Sequence, residues 1–168
     1  LFFDDYKLGV LKGDRVVDVS AAAPRPQGLP DHALAAEGII EAVIGEFTGY
    51  RPKLEEIAAR EAGVPVSQVK VRPPLPRPRN PFCAFANYRD RADSTTPPTP
   101  LDYFHKSASS IIGQDETVEL PDIPDAIVFQ PEPELAYLIG RRAKNVAEAD
   151  ALSYVFGYMN FVDVSARG

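Results

Sequence analysis

Gln130-Pro131-Glu132-Pro133-Glu134-Leu135-Ala136-Tyr137-Leu138-Ile139-Gly140 is the stretch that decides how this chain is read. Its acidic and apolar residues alternate, and in a strand residues two apart project to the same face. Glu132 and Glu134 therefore stand together, with Leu135, Tyr137 and Ile139 expected to fill the other side. Their Cα atoms lie about 7 Å apart, so both carboxylates can lean onto one cation. Ala136 continues the acidic face with a small side chain and leaves room above it. Two such acids repel unless a positive charge sits between them, and a hard divalent ion taking oxygen ligands removes the conflict.

A third acid comes from further along. Asp163 interrupts the apolar run Tyr158-Met159-Asn160-Phe161-Val162, where a solvent-facing carboxylate is out of place and a paired or metal-bound one is expected. An all-carboxylate set of Glu132, Glu134 and Asp163 favours Mg²⁺, Mn²⁺ or Ca²⁺ over Zn²⁺, which prefers His or Cys. Spacing alone leaves another arrangement open, in which the two glutamates face solvent and Asp163 pairs with Arg167.

The order of motifs adds to this reading. Glu-x-Glu-Leu-Ala-x-x-Ile-Gly-Arg from Glu132 is followed by Asp150-Ala151 in a short helix, then by Gly157-Tyr158 and Asp163-Val164-Ser165-Ala166-Arg167. Upstream lie Ala86-Asn87-Tyr88-Arg89-Asp90 and Tyr103-Phe104-His105-Lys106-Ser107. Together these resemble the signature of the fumarylacetoacetate hydrolase family over about residues 82–168. The resemblance implies a mixed β-roll and metal ligation by Glu132, Glu134 and Asp163. It also implies a homodimer when full length, and a β-dicarbonyl or 2-oxo acid substrate undergoing C–C hydrolysis, decarboxylation or isomerisation.

In that reading Lys106 supplies positive charge to a developing oxyanion, while Tyr88 and Arg91 contact substrate. The forked donors of Arg91 suit a carboxylate. Many C–C hydrolases of the family carry His and Glu where this chain has Arg91 and Ser94. Arginine does not serve as a general base at neutral pH, and Asp93 lies one position early. Isomerisation or decarboxylation gains weight accordingly, and a catalytically silent metal-binding or scaffold member is the alternative. His105, next to Lys106, points away from it on strand alternation. The polar, Pro-rich run Thr95-Thr96-Pro97-Pro98-Thr99-Pro100 resembles a lid.

Outward from this centre, residues 72–81 hold five prolines in ten positions and read as an extended linker. Before it, residues 1–71 read as a small α/β domain. A hairpin turns at Lys12-Gly13-Asp14. One helix is capped by Asp31, with Leu34, Ile39, Ile40, Val43, Ile44 and Phe47 at helical spacing, and a second runs from Lys53 to Ala62. After the linker, strands are expected at residues 82–86, 117–120, 126–129, 134–139 and 154–164, with a short helix near 147–153. The whole is α+β, mainly β: an incomplete β-roll over residues 82–168 behind the small domain. The chain opens on Leu1 and stops directly after an apolar run, and is expected to be a piece of a longer protein.

Composition bounds the partners. With 45% hydrophobic residues and a net charge of −6, the chain can bury a core but offers no basic surface for nucleic acid or anionic lipid. Cys83 is the single cysteine, so no internal disulfide forms. No apolar run approaches bilayer-spanning length and no signal peptide is evident, so a cytoplasmic protein acting on a small molecule is expected.

Overall fold

The structure, a computed structural model, describes residues 1–23, 25–29, 32–85, 87, 88 and 102–168. Helices and strands are mixed with strands predominant, and the strands form three separate sheets of five, two and two among the described residues.

The five-stranded sheet has the order β4-β3-β2-β1-β5, from β1 (Phe2–Phe3), β2 (Lys7–Lys12), β3 (Arg15–Asp18), β4 (Val64–Pro65) and β5 (Val71–Arg72). The expected hairpin is β2-β3, closed by Lys12 opposite Arg15, with Gly13 at φ +62 in the turn. Gly63 has φ +69, and a Cβ there would meet the Val16 carbonyl oxygen at 2.5 Å, so only glycine suits this close return onto β3.

Helices α1 (His32–Gly45) and α2 (Phe47–Arg60) pack on this sheet. The core joins Phe2, Leu8, Val17 and Val19 from the strands to Ala36, Ile39, Val43 and Leu54 from the helices. Leu34, expected on the buried stripe, is exposed, while Ala36 joins the core and Ala33 is buried. The second helix starts six residues earlier than expected and takes Pro52 inside it. The missing N–H falls opposite the Thr48 carbonyl, in an exposed first turn where water can satisfy that oxygen.

Residues 73–81 are neither helix nor strand, as their prolines require, but they are fastened rather than free. Pro73 and Pro76 are buried. The Arg77 N–H donates to Glu37 Oε2 at 2.8 Å, and Arg79 grips Glu41 through two hydrogen bonds of 2.6 and 2.7 Å. Burial pushes the Glu37 carboxyl above its ordinary value, with the Arg77 N–H opposing the shift.

Beyond this connector, β6 (Phe82–Phe85) pairs antiparallel with β7 (Asp102–His105), which carries the strand alternation considered for His105 but ends before Lys106. The expected strand at residues 117–120 does not form. That segment's neighbour Glu116 instead binds back to the first sheet, contacting Lys70 at 3.1 Å and Arg72 at 3.3 Å. The two strands expected at 126–129 and 134–139 are one, β8 (Val128–Ile139), paired along its length with β9 (Val155–Arg167). A short helix α3 (Glu148–Ala151) lies between them. No helix among the described residues is long and apolar enough to cross a membrane.

Candidate metal centre

The long β8-β9 ribbon positions the acids. Its register sets Glu132 directly opposite Asp163 and Glu134 opposite Phe161, so all three carboxylates rise from one face. That face is the more covered one: Glu132, Glu134, Ala136 and Leu138 are half-buried, and Asp163 is 3% exposed.

Two prolines inside a strand need explanation. Pro131, Pro133 and Leu135 alternate with the acids and turn their backbone nitrogens the same way, to the edge of β8 not paired with β9. The prolines have nothing to donate there, and the Leu135 N–H donates to the Tyr88 hydroxyl at 3.3 Å. Tyr88 thus borders the strand beside Glu134. Its hydroxyl is engaged by the backbone, which the substrate role expected for it does not require. Arg91, Asp93, Ser94 and the run from Thr95 to Pro100 lie outside the described residues.

Each acid at the Glu132-Asp163 pair has its own cation. Lys106, just beyond β7, forms an ion pair with Asp163 Oδ1 and donates to the Val164 carbonyl at 3.2 Å. Arg167 pairs with Glu132, not with Asp163, and its Nε donates to Gln130 Oε1 at 3.0 Å. The Arg167 guanidinium holds the Glu132 carboxyl below the usual range, and the Ser165 hydroxyl, donating at 3.1 Å, adds to the effect. No three His, Cys, Asp or Glu side chains among the described residues converge as a ready coordination sphere.

The donor set nevertheless suits a hard divalent ion. Three carboxylates share a face, and the buried Asp163 meets the Lys106 ammonium through Oδ1 and lies beside the Cys83 thiol. A buried carboxylate requires a positive charge beside it, and Asp163 has one at Oδ1.

Sequence reading missed Ser165 and Cys83 as members of the site and gave Arg167 a different partner, Asp163 instead of Glu132. Ser165 and Arg167 follow Asp163 at two and four positions, and extending the strand alternation from Asp163 places both on the acidic face. Cys83, on β6, had no such signal; burial first, then the charge of the neighbouring Asp163, pushes its thiol up. His105, exposed on β7, stacks against its cross-strand partner Phe82 with ring centroids 4.2 Å apart, consistent with pointing away from Lys106. The other face of the ribbon departs from expectation. Leu135, Tyr137 and Ile139 do not fill a core but stand exposed, beside Tyr158 and Val162.

A family model described as the fumarylacetoacetate (FAA) hydrolase C-terminal region matches residues 80–168. Oxaloacetate tautomerase fahd2, mitochondrial, of Xenopus laevis is 35% identical over 103 residues, covering 60% of this chain and 32% of that protein. Oxaloacetate tautomerase FAHD2A, mitochondrial, of Bos taurus is 30% identical over 158 residues, covering 92% of this chain and 46% of its own length. The chain thus spans less than half the length of these relatives. Among solved structures, maleylpyruvate hydrolase from Sphingobium sp. SYK-6, in complex with manganese(II) and pyruvate, superposes with a TM-score of 0.84 at 29% identity. The superposition covers 99% of this chain and 58% of that one.

Proposed function

The chain belongs to the fumarylacetoacetate hydrolase family, and from that premise we propose that it forms part of an enzyme acting on a 2-oxo acid or β-dicarbonyl compound with a divalent cation. The observation that carries the proposal is Asp163: a buried carboxylate opposite Glu132, beside Glu134, paired with a lysine. Glu132, Glu134 and Asp163 would hold the ion, Mg²⁺ or Mn²⁺ being the candidates, with Ca²⁺ a third. Such an ion supplies positive charge to a carbonyl oxygen, stabilising negative charge that grows there.

The remaining chemistry falls to the chain's own residues. Glu132 stays ionised because Arg167 and Ser165 hold it so. Lys106 keeps an ammonium within the acidic face, where it can meet a substrate carboxylate or a developing oxyanion. Arg91 is the second candidate for a substrate carboxylate.

Between hydrolysis and proton transfer, two observations support the latter. Arg91 and Ser94 stand where a water-activating His and Glu are expected, and two of the relatives are oxaloacetate tautomerases. Keto–enol isomerisation needs a base and a stabilised oxyanion, but no activated water. The test is titration calorimetry of the intact protein with Mn²⁺, followed by oxaloacetate tautomerisation and acylpyruvate cleavage assays. Mn²⁺ binding that Asp163→Asn abolishes, together with tautomerisation exceeding cleavage, is the expected result. Wild-type protein that binds no Mn²⁺ refutes the reading, and metal binding without turnover of either substrate selects the catalytically silent alternative.

A further inference from the structure

We infer that Lys106 is a displaceable internal cation: it occupies the place of a divalent ion on Asp163, and the ion's arrival frees its ammonium for substrate. The inference rests on the metal reading above and adds an order of events to it.

The argument starts from burial. Asp163 is 3% exposed, and a buried carboxylate without a counter-charge is strongly unfavourable, so some cation must accompany it whenever the chain is folded. Here Lys106 does so, at Oδ1. A divalent ion held by Asp163 would share that carboxylate with the ammonium, and two positive centres so close repel, so the lysine and the ion compete for its charge.

The lysine is also built to move a short way without being lost. Its backbone N–H is held by the Pro81 carbonyl at 3.2 Å, fixing the base of the side chain where β7 ends. Its ammonium has a second anchor, the Val164 carbonyl at 3.2 Å, one residue along β9 from Asp163. Phe104 flanks it, with Nζ 5.8 Å from the ring centroid. Losing Asp163 therefore leaves Nζ tethered at Val164 with a donor newly free. Arg167 differs: it is fastened to Gln130 as well as to Glu132, and its side chain is about half exposed. Lys106 is thus the cation that competes for the buried oxygen.

The consequence is twofold. Lys106 weakens metal affinity, and metal binding primes Lys106. The experiment uses the intact protein and Mn²⁺ alone, in titration calorimetry, with folding checked by circular dichroism. Lys106→Met is expected to bind Mn²⁺ on the order of tenfold tighter than wild type, as removal of a nearby like charge predicts. Lys106→Arg, which keeps the charge, should stay near wild type.

Should the methionine variant not fold, wild type supplies an independent readout. Mn²⁺ should increase acylation of Lys106 by an amine-reactive reagent, followed by peptide mass spectrometry, because the ammonium leaves its ion pair. Lys106→Met binding Mn²⁺ no tighter than wild type, or acylation of Lys106 unchanged or suppressed by Mn²⁺, overturns the inference while leaving the metal site standing. Wild type that binds no Mn²⁺ removes both together.

Discussion

The first 72 residues and the β8-β9 ribbon bury opposite kinds of group. In the first, Phe2, Val16, Val17 and Val19 are completely enclosed, and every buried apolar residue other than proline among the described residues lies between Phe2 and Leu54. In the ribbon the buried residue is Asp163, while Leu135, Tyr137, Ile139, Tyr158 and Val162 face outward. The first region is organised by removing hydrocarbon from water. The second is organised around charge, with each carboxylate of the Glu132-Asp163 pair matched to its own cation. A chain that spends its core on one region and its buried charge on another divides stability from chemistry.

The contrast breaks most readily at Phe2. Its ring is fully buried between the strands and helices, so Phe2→Ala removes both transfer free energy and packing, about 3–5 kcal/mol. Urea unfolding should show this as a large fall in midpoint. A loss below about 1 kcal/mol would mean that the first region's core is not the stabilising element its burial indicates.

Much of this division was legible in the sequence. The β2-β3 hairpin follows from Gly13 in a two-residue turn, and α1 from its apolar spacing. The acidic face of β8 follows from strict alternation through two prolines. Strand period alone aligned Glu132 with Glu134, but it could not bring in Asp163; that came from the order of motifs, and the register sets it opposite Glu132. Other features depended on partners distant in sequence. The strand β7 is fixed by pairing with β6, and the segment at 117–120 lost its expected strand because nothing among the described residues pairs with it. Cys83 entered the site through that same long-range packing. Lys106 was chosen by resemblance, yet its grip on Asp163 is a tertiary fact that no local pattern encodes.

A smaller effect is expected where the segment that precedes the ribbon is tied to the first region. Glu116 accepts from the Gly113 N–H at 2.7 Å and pairs with Lys70 and Arg72 of the first sheet. The Gly113 N–H, foremost, and Lys70 hold its carboxyl below the ordinary value. A lowered folded-state pKa means that its contribution is present above the unfolded value and is lost as pH falls through the folded one. Glu116→Gln should therefore cost up to about 1 kcal/mol at neutral pH, as partly exposed pairs do, and the difference from wild type should vanish in acid. Urea midpoints for both proteins across about pH 3–7, an interval that spans the ordinary glutamate value of about 4.5, check this. A difference that persisted at the acid end would assign the effect to packing instead of charge.

The smallest expected effect tests the ribbon's open face. Tyr137 is 60% exposed and stands opposite Tyr158, also 60% exposed, in the β8-β9 register. Tyr137→Thr keeps a strand-favouring residue while removing the ring, so β propensity changes little and the difference reports on burial. If the face meets water, the unfolding midpoint should move by no more than about 0.5 kcal/mol, the usual scale for an exposed site. A cost near 2 kcal/mol would instead match an aromatic ring enclosed by other groups. The ribbon would then have an apolar layer of its own behind the acids, and the division between a region that stores stability and a region that holds charge would give way to two cores, one of which supports the Glu132-Asp163 face from beneath.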